Sequence, residues 1–224
     1  MRPVAAWLVT LPAFAALAWA VASLPTASAG LTDQAYRALD ESGVSNPVTA
    51  VLLNYRSYDT LLEVAVLLLA VVAVWSLQCR RLPAPDRAGH PLLRPFLGVL
   101  LPLLCLVGVY LLWIGAFAPG GAFQGGALLG GAVVLWLLGG GRPADMDRLT
   151  RWLRWGLVAG LVVFIGVGAL LLASGRGFLE YPPGAAKLVI LFIEAAAMVS
   201  IGLTLGNLFV GGRPAGNSHS AGES

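Results

Sequence analysis

The chain has 224 residues, of which 58% are hydrophobic and 28 are glycine, and its charged fraction is 11%. A soluble domain carries roughly 25% charged residues and a disordered chain is poor in apolar ones, so both classes are excluded. The net charge of +3 comes from basic residues scattered over short segments, which argues against a nucleic-acid partner. The composition predicts an all-α integral membrane protein, because backbone groups in lipid must be satisfied within helices.

Six segments are long and apolar enough to cross a bilayer, which needs about 20 residues each. Five of them are predicted at about 4–24, 95–117, 121–139, 155–174 and 188–210. The remaining one, the second in the chain, ends near 77 and begins somewhere between 47 and 58. With the N-terminus inside, ten of the 14 basic residues lie in cytoplasmic segments and three lie outside. The positive-inside rule therefore predicts that both termini are cytoplasmic.

The first span has a second interpretation. Arg2, the apolar run after it and the small residues at 27–29 also form the pattern of a cleaved signal peptide. The run of about 20 residues is long for a signal sequence, whose apolar part has about 7–15, and this favours a retained span. Cleavage would leave five spans.

The second span carries charges on one helical face, because Arg56, Asp59, Thr60 and Glu63 follow at i, i+3, i+4 and i+7. Each charge at bilayer depth costs roughly 2.5–3.5 kcal/mol on insertion scales, so such groups face protein or water. A carboxyl shielded from water can take up and release protons, which makes Glu63 and Asp59 candidates for an ion or proton path. Arg56 is a third candidate, because its charge favours the ionised form of Asp59 one turn away. The alternative is structural, with an Arg56–Asp59 ion pair and Glu63 at an interface.

The start of this span is also informative. Asn46 can cap a helix and Pro47 suits its first position. A straight helix over 47–77 would be about 46 Å long, which exceeds the bilayer core. We expect the helix to be tilted, broken or projecting.

Glu194 is the only ionisable residue between 188 and 210, and it follows Lys187 by seven residues. Its partner must be a group on another helix, a group on another protein of a complex, or a proton. Glu194 and Lys187 are therefore further candidates for the path. The alternative is a neutral carboxyl that is hydrogen-bonded to a neighbouring backbone.

A glycine-rich turn separates the third and fourth spans. Residues 119–126 read Pro-Gly-Gly-Ala-Phe-Gln-Gly-Gly, and further glycines follow at 130 and 131. Small residues spaced by four allow helix backbones to approach closely. The residues predicted to pack the helices are Pro119, Gly120, Gly121, Gln124, Gly125, Gly126 and Gly130.

Other chemistry is not indicated. The two cysteines and two histidines lack metal-ligand spacing, and the sequence contains neither a nucleotide-binding glycine loop nor a nucleophile elbow. We therefore predict no enzymatic activity, no cofactor and no metal site.

The 119–126 string resembles the Pro-Gly-Gly-Gly-Phe-Gln-Gly-Gly signature of MnhB-like subunits of Mrp-type cation/proton antiporters, with Ala122 in place of the third glycine. Phe192-Ile-Glu194 is similar to the family's Phe-acid pattern in the last span, shifted by one residue. Residues 46–67 resemble the end of the large, A-type antiporter subunit. This end segment also occurs as a separate hydrogenase protein, MbhE. Arg56, Asp59, Thr60 and Glu63 match that second pattern, whereas Asn54 replaces an Asp and Leu62 a Gly.

The two resemblances imply a fusion. We predict an MbhE-like two-helix module at 1–80, a cytoplasmic linker at 81–94, an MnhB-like four-helix module at 95–212 and a disordered tail at 213–224. They also imply a multi-pass subunit of a hetero-oligomeric antiporter complex in the bacterial cytoplasmic membrane, in contact with lipid and with transported H⁺ and Na⁺. Alternatives left open are a hydrogenase-type or other redox-driven complex and a non-transporting assembly subunit.

Overall fold

The computed structural model describes residues 2–24, 30, 32–76, 93–141, 146–182 and 184–210. All regular structure in these ranges is helical, which confirms the all-α class. The chain divides into two units between Gln34 and Ala35. The first unit holds helix α1 (Arg2–Ala22), and the short helix α2 (Thr32–Arg37) lies across the division.

The second unit contains the remaining helices and all of the contacts described below. Two short turns of other helical types occur in it, a 3₁₀ turn at Leu39–Glu41 and a π-helical turn at Val51–Tyr55. The α-helices are α3 (Pro47–Ala50), α4 (Ser57–Ser76), α5 (Leu93–Ile114), α6 (Ala122–Leu138), α7 (Met146–Ala173) and α8 (Ala186–Val210).

Four described helices are long and apolar enough to cross a membrane, and they lie within α4, α5, α7 and α8. Two shorter apolar helices, Thr10–Ala22 and Ala122–Leu138, coincide with the first and fourth predicted spans. Each of the six predicted segments is therefore helical in the structure. The side of the membrane on which the termini lie stays a prediction.

The second predicted span is broken. The side chain of Asn46 accepts a hydrogen bond from the second residue of α3, and Pro47 occupies the first turn, as the sequence predicts. The chain then widens into the π-helical turn, and Arg56 leaves the helical conformation with φ −126° before α4 begins. The break is one of the three geometries expected for an overlong span.

Helix α8 is the centre of the second unit and packs against α4, α6 and α7, while α5 packs mainly on α6. Half of the membrane-length segment of α8 is buried, whereas 17–22% is buried in the corresponding segments of α4, α5 and α7. Its buried face carries apolar residues such as Ile193, Ala197 and Ile201. A predominantly apolar helix with this much buried surface and neighbours on several sides is typical of a bundle core.

Several predicted boundaries fall at the edges of the described chain. Helix α5 begins at Leu93, so the last two residues of the predicted 81–94 linker are helical, and the rest of that linker lies outside the described residues. The predicted tail at 213–224 also lies outside them. The division into two modules at the linker therefore stays a prediction.

Candidate ion and proton site

The Glu194 side chain lies at the start of helix α6. Glu194 is 4% exposed, and its Oε1 accepts a hydrogen bond from the Ala122 backbone N–H at 3.3 Å. Its Oε2 is buried without a hydrogen-bond partner among the described residues. One carboxyl oxygen is thus fixed by protein, and the other retains its acceptor capacity.

The start of α6 contributes an interaction that stabilises a negative charge on this carboxyl and partly offsets the cost of burying it. The first N–H groups of a helix lack partners within the helix, and aligned peptide dipoles make that end partially positive. Glu194 is the ninth residue of α8, so it lies about 12 Å along that helix. The N-terminus of α6 therefore lies beside α8 more than two turns after α8 begins. The positive end of the α6 dipole points at a buried carboxyl.

Gly121, the residue before α6, has a conformation and a position that require glycine. Its φ is +114°, and a Cβ there would lie 2.7 Å from Glu194 Oε1. Its N–H donates to the Leu111 carbonyl oxygen at 2.8 Å, which ties the turn back to α5. A side chain at 121 would therefore displace the Glu194 carboxyl.

Three other predicted packing glycines, Gly125, Gly126 and Gly130, line the contact between α6 and α8, whereas a Cβ on Gly120 would meet Leu111 O and Ile114 of α5. A Cβ on Gly125 would lie 2.6 Å from Met198 Sδ, and one on Gly126 would lie 2.8 Å from Ile201 Cβ. A Cβ on Gly130 would be equally close to Leu205 Cβ, at 2.8 Å. Small residues thus bring α6 against α8 closely enough for Glu194 to reach the start of α6.

The turn between α5 and α6 is held by the start of the second span. The Asn46 side-chain amide donates to the carbonyl oxygens of Gly115 at 2.8 Å and Ala118 at 2.9 Å. The Thr49 hydroxyl donates to Gly115 O at 2.6 Å, and the Asn46 backbone N–H donates to Ala116 O at 3.1 Å. Residues distant in sequence therefore satisfy carbonyls that follow the C-terminus of α5.

The predicted charged face of the second span divides into an ion pair, a buried hydroxyl and an exposed carboxyl. Arg56 and Asp59 form an ion pair, with side chains 64% and 45% exposed. The Thr60 hydroxyl is buried and donates to Leu52 O at 2.7 Å, which satisfies a carbonyl at the helix break. Glu63 lies on the exposed face of α4. Within the described part of the chain, none of these groups is a hydrogen-bond partner of the buried Glu194 carboxyl.

The remaining predicted residues, Lys187, Gln124 and Pro119, lie near the turn between α5 and α6. The Lys187 ammonium is 4.0 Å from the centroid of the Phe117 ring, a cation–π geometry. Gln124 and Pro119 are exposed. Among the described residues, no three His, Cys, Asp or Glu side chains are grouped so that they could hold a metal ion.

Sequence reasoning identified Glu194 and the glycine turn separately and missed their contact. It also missed the hydrogen bonds from Asn46 to the turn, although it identified Asn46 as a cap. Nor does any motif in the sequence single out Tyr181. It is 6% exposed, its hydroxyl has no partner within the described ranges, and burial raises the pKa of this phenol well above its ordinary value.

Family comparisons agree with the two resemblances. Residues 92–213, more than half of the chain, match the model described as "Domain related to MnhB subunit of Na+/H+ antiporter". The chain belongs to this family. Residues 4–94 match the MbhE model, which describes the E-type subunit of MBH. It is thus a multi-pass membrane subunit with an MbhE-type segment before its MnhB-type segment.

Two relatives are similar to parts of the chain. A Rhizobium meliloti protein, named as the probable A/B-type subunit of a K(+)/H(+) antiporter, is 28% identical over 174 residues, which cover 65% of this chain and 17% of that protein. An uncharacterized Methanocaldococcus jannaschii protein is 30% identical over 112 residues, which cover 41% of this chain and 43% of that protein. The chain therefore spans less than half the length of either relative.

Two solved structures have the same fold. A chain of the membrane-bound sulfane sulfur reductase, an archaeal respiratory membrane complex, is 26% identical with a TM-score of 0.68, covering 94% of this chain and 97% of that one. A chain of the Mrp complex from Dietzia sp. has a TM-score of 0.58 at 24% identity, covering 99% of this chain and 27% of that one. Both matched chains are parts of complexes, and the first of these is a membrane complex.

Proposed function

We propose that the chain is a membrane subunit of a multisubunit monovalent cation/proton antiporter in the bacterial cytoplasmic membrane, with Glu194 as an acid of the ion or proton path. Membership of the MnhB family supports the transport class. The single observation that carries the role of Glu194 is its buried carboxyl at the start of α6, with Oε2 unpartnered among the described atoms.

This geometry suits exchange between a proton and a monovalent cation. A buried carboxylate is costly unless it is hydrogen-bonded or neutralised. The Ala122 N–H and the helix N-terminus stabilise the ionised form, and a proton or a cation at Oε2 would neutralise it. Because both ligands would use the same oxygen, they would compete, and competition at one site is a basis for antiport.

The second span would contribute a separate part of the path. Glu63 lies in α4 between Leu62 and Val66, which are 61% and 62% exposed in the isolated chain. A carboxyl among lipid-facing side chains is unfavourable, so another protein of the complex would cover this face. Glu63, with the Arg56–Asp59 pair near the break, would then lie at an interface between subunits.

Antiport by everted membrane vesicles tests the role of Glu194. Glu194→Gln keeps the size of the side chain and removes its charge, and we expect antiport to fall at least about a hundredfold, the lower end of acid–base contributions. Glu63→Gln should also lower antiport. Glu180→Gln is the matched control, because exposed Glu180 likewise accepts one backbone N–H, from Gly177 at 2.6 Å.

A native gel of the same membranes separates transport from assembly. We expect all three variants to retain the complex. Normal antiport by Glu194→Gln in an assembled complex would refute its role in the path. It would favour the alternative of a non-transporting assembly subunit.

A redox-driven complex is a second candidate, because the similar chain of the sulfane sulfur reductase complex is matched over 97% of its length. This chain would occupy the same kind of membrane position in either complex. Affinity purification of the tagged chain followed by mass spectrometry distinguishes the two. Large antiporter subunits alone support the antiporter, and iron–sulfur or hydrogenase-type subunits support the redox-driven complex.

A further inference from the structure

Asn46 lies in the predicted MbhE-like module, yet most of its side-chain contacts beyond its own helix are with the turn that precedes α6. It is 4% exposed and serves two separate purposes. Its Oδ1 accepts from the Val48 N–H at 3.1 Å, which caps its own helix. Its Nδ2 shares its two hydrogens among three acceptors, Thr49 Oγ1, Gly115 O and Ala118 O, at 3.1, 2.8 and 2.9 Å.

The Asn46 contacts end very close to the Glu194 site. Ala118, whose carbonyl Asn46 binds, is followed by Pro119, and Pro restricts both its own φ and the preceding residue. Gly121 comes two residues later, and a Cβ built on Gly115 would lie 2.8 Å from Gly121 Cα. The position of the 115–118 carbonyls therefore constrains where Gly121 and the first N–H of α6 lie.

We propose that Asn46 is a positioning residue for Glu194: its amide group fixes the 115–118 turn and thereby aims the α6 N-terminus at the Glu194 carboxyl. The inference rests on the proposed role of Glu194 and adds a coupling between the two predicted modules. A displacement of the start of the second span would weaken the Ala122–Glu194 hydrogen bond without a direct contact to Glu194.

Substitution to serine separates the two purposes of Asn46. Serine caps helices about as well as asparagine but has no amide to donate to Gly115 O and Ala118 O. Asn207→Ser is the matched control, because Asn207 is also buried, at 8% exposure, and its Oδ1 accepts from Trp75 Nε1 at 3.1 Å. That contact joins α4 to α8 near their C-terminal ends, away from the turn that precedes α6.

The readout is labelling of Glu194 by dicyclohexylcarbodiimide, which reacts with protonated carboxyl groups in membrane proteins. Labelling is measured at pH 7 by mass spectrometry of the intact purified complex. We expect Asn46→Ser to raise the ratio of labelled to unlabelled Glu194 about fivefold, the effect of weakening the Ala122–Glu194 hydrogen bond by the net strength of an ordinary one. Asn207→Ser should leave it unchanged, and equal labelling of Asn46→Ser and the unmodified complex would overturn the proposal.

Three further outcomes keep the test decisive. If Asn46→Ser does not assemble, Thr49→Val removes one donor to Gly115 O and leaves Asn46 in place, and a smaller rise in labelling is expected; no rise overturns the proposal. If Glu194→Gln transports normally while Asn46→Ser still raises labelling, the transport role fails and the positioning role stands. If Glu194→Gln abolishes antiport and Asn46→Ser does not change labelling, the transport role of Glu194 stands and the positioning role of Asn46 fails.

Discussion

Gly121 combines a conformational and a steric requirement at one position. Its φ of +114° is unfavourable for any residue with a side chain, and its missing Cβ leaves the space that Glu194 Oε1 occupies. Gly131 lies ten residues later, within α6, and a Cβ there would meet no atom within 4 Å. The two glycines therefore form a natural pair for comparison.

We expect Gly121→Ala to lower antiport as much as Glu194→Gln, although it changes no charge. The physical reason is backbone strain of about 1–3 kcal/mol together with displacement of the carboxyl. Vesicle antiport is the measurement and Gly131→Ala is the control. Wild-type antiport by Gly121→Ala would contradict the site geometry.

Two departures from the family patterns also have explanations at single residues. Ala122 replaces a glycine, and its side chain is buried in an apolar cluster with Ala197 and Met198, so one methyl group is accommodated. Asn54 replaces an aspartate, and its Nδ2 donates to Ser42 O at 3.0 Å. An ionised aspartate could not donate this bond, so position 54 serves local structure in this chain.

Among whole elements, the close contact of α6 with α8 determines the site. The stripe of small residues on α6 faces side chains and backbone of α8, and Gly202 reciprocates from α8, where a Cβ would lie 2.8 Å from Leu129 Cβ. Because both helices contribute small residues, their axes approach closely and the α6 N-terminus comes within reach of Glu194.

Gly126→Leu should separate these helices. A Cβ at 126 would lie 2.8 Å from Ile201 Cβ and 3.1 Å from Met198 O, so a larger side chain forces backbone displacement. Overpacking of this kind typically costs about 1–3 kcal/mol or more. We expect the complex to be reduced or lost on a native gel, whereas Gly131→Leu should assemble; equal assembly of the two would contradict tight α6–α8 packing.

For the whole molecule, the distribution of basic residues predicts an orientation that the described helices do not decide. The segments at 81–94 and 142–154 carry most of the predicted cytoplasmic arginines. The segment at 174–185, between α7 and α8, is then outside. The start of α6 and the Asn46 contacts would lie toward this outer end.

Cysteine accessibility tests the orientation. In a Cys79→Ser, Cys105→Ser background, Ser174→Cys should react with a membrane-impermeant maleimide added to intact cells, because Ser174 is exposed after α7. Ser218→Cys should react only in everted vesicles. The opposite pattern would invert the predicted topology and the side from which ions reach Glu194.

The sequence by itself determined the class, the six apolar helices, the capped start and overlong length of the second span, and the family. These follow from composition, span length and contiguous motifs, which are local properties. Charge counting also identified Glu194 and Glu63, because an ionisable residue in an apolar segment is unusual wherever the helix packs.

Only the tertiary structure decided which groups meet. Glu194 and Ala122 are 72 residues apart, and their contact depends on where α6 begins relative to α8 and on how closely the glycines let the two approach. The same holds for Asn46, whose partners lie 69 and 72 residues away, and for Thr60 and Glu63, of which one is buried and the other exposed. Helical spacing gives a face, but the rotation and depth of each helix are set by its neighbours.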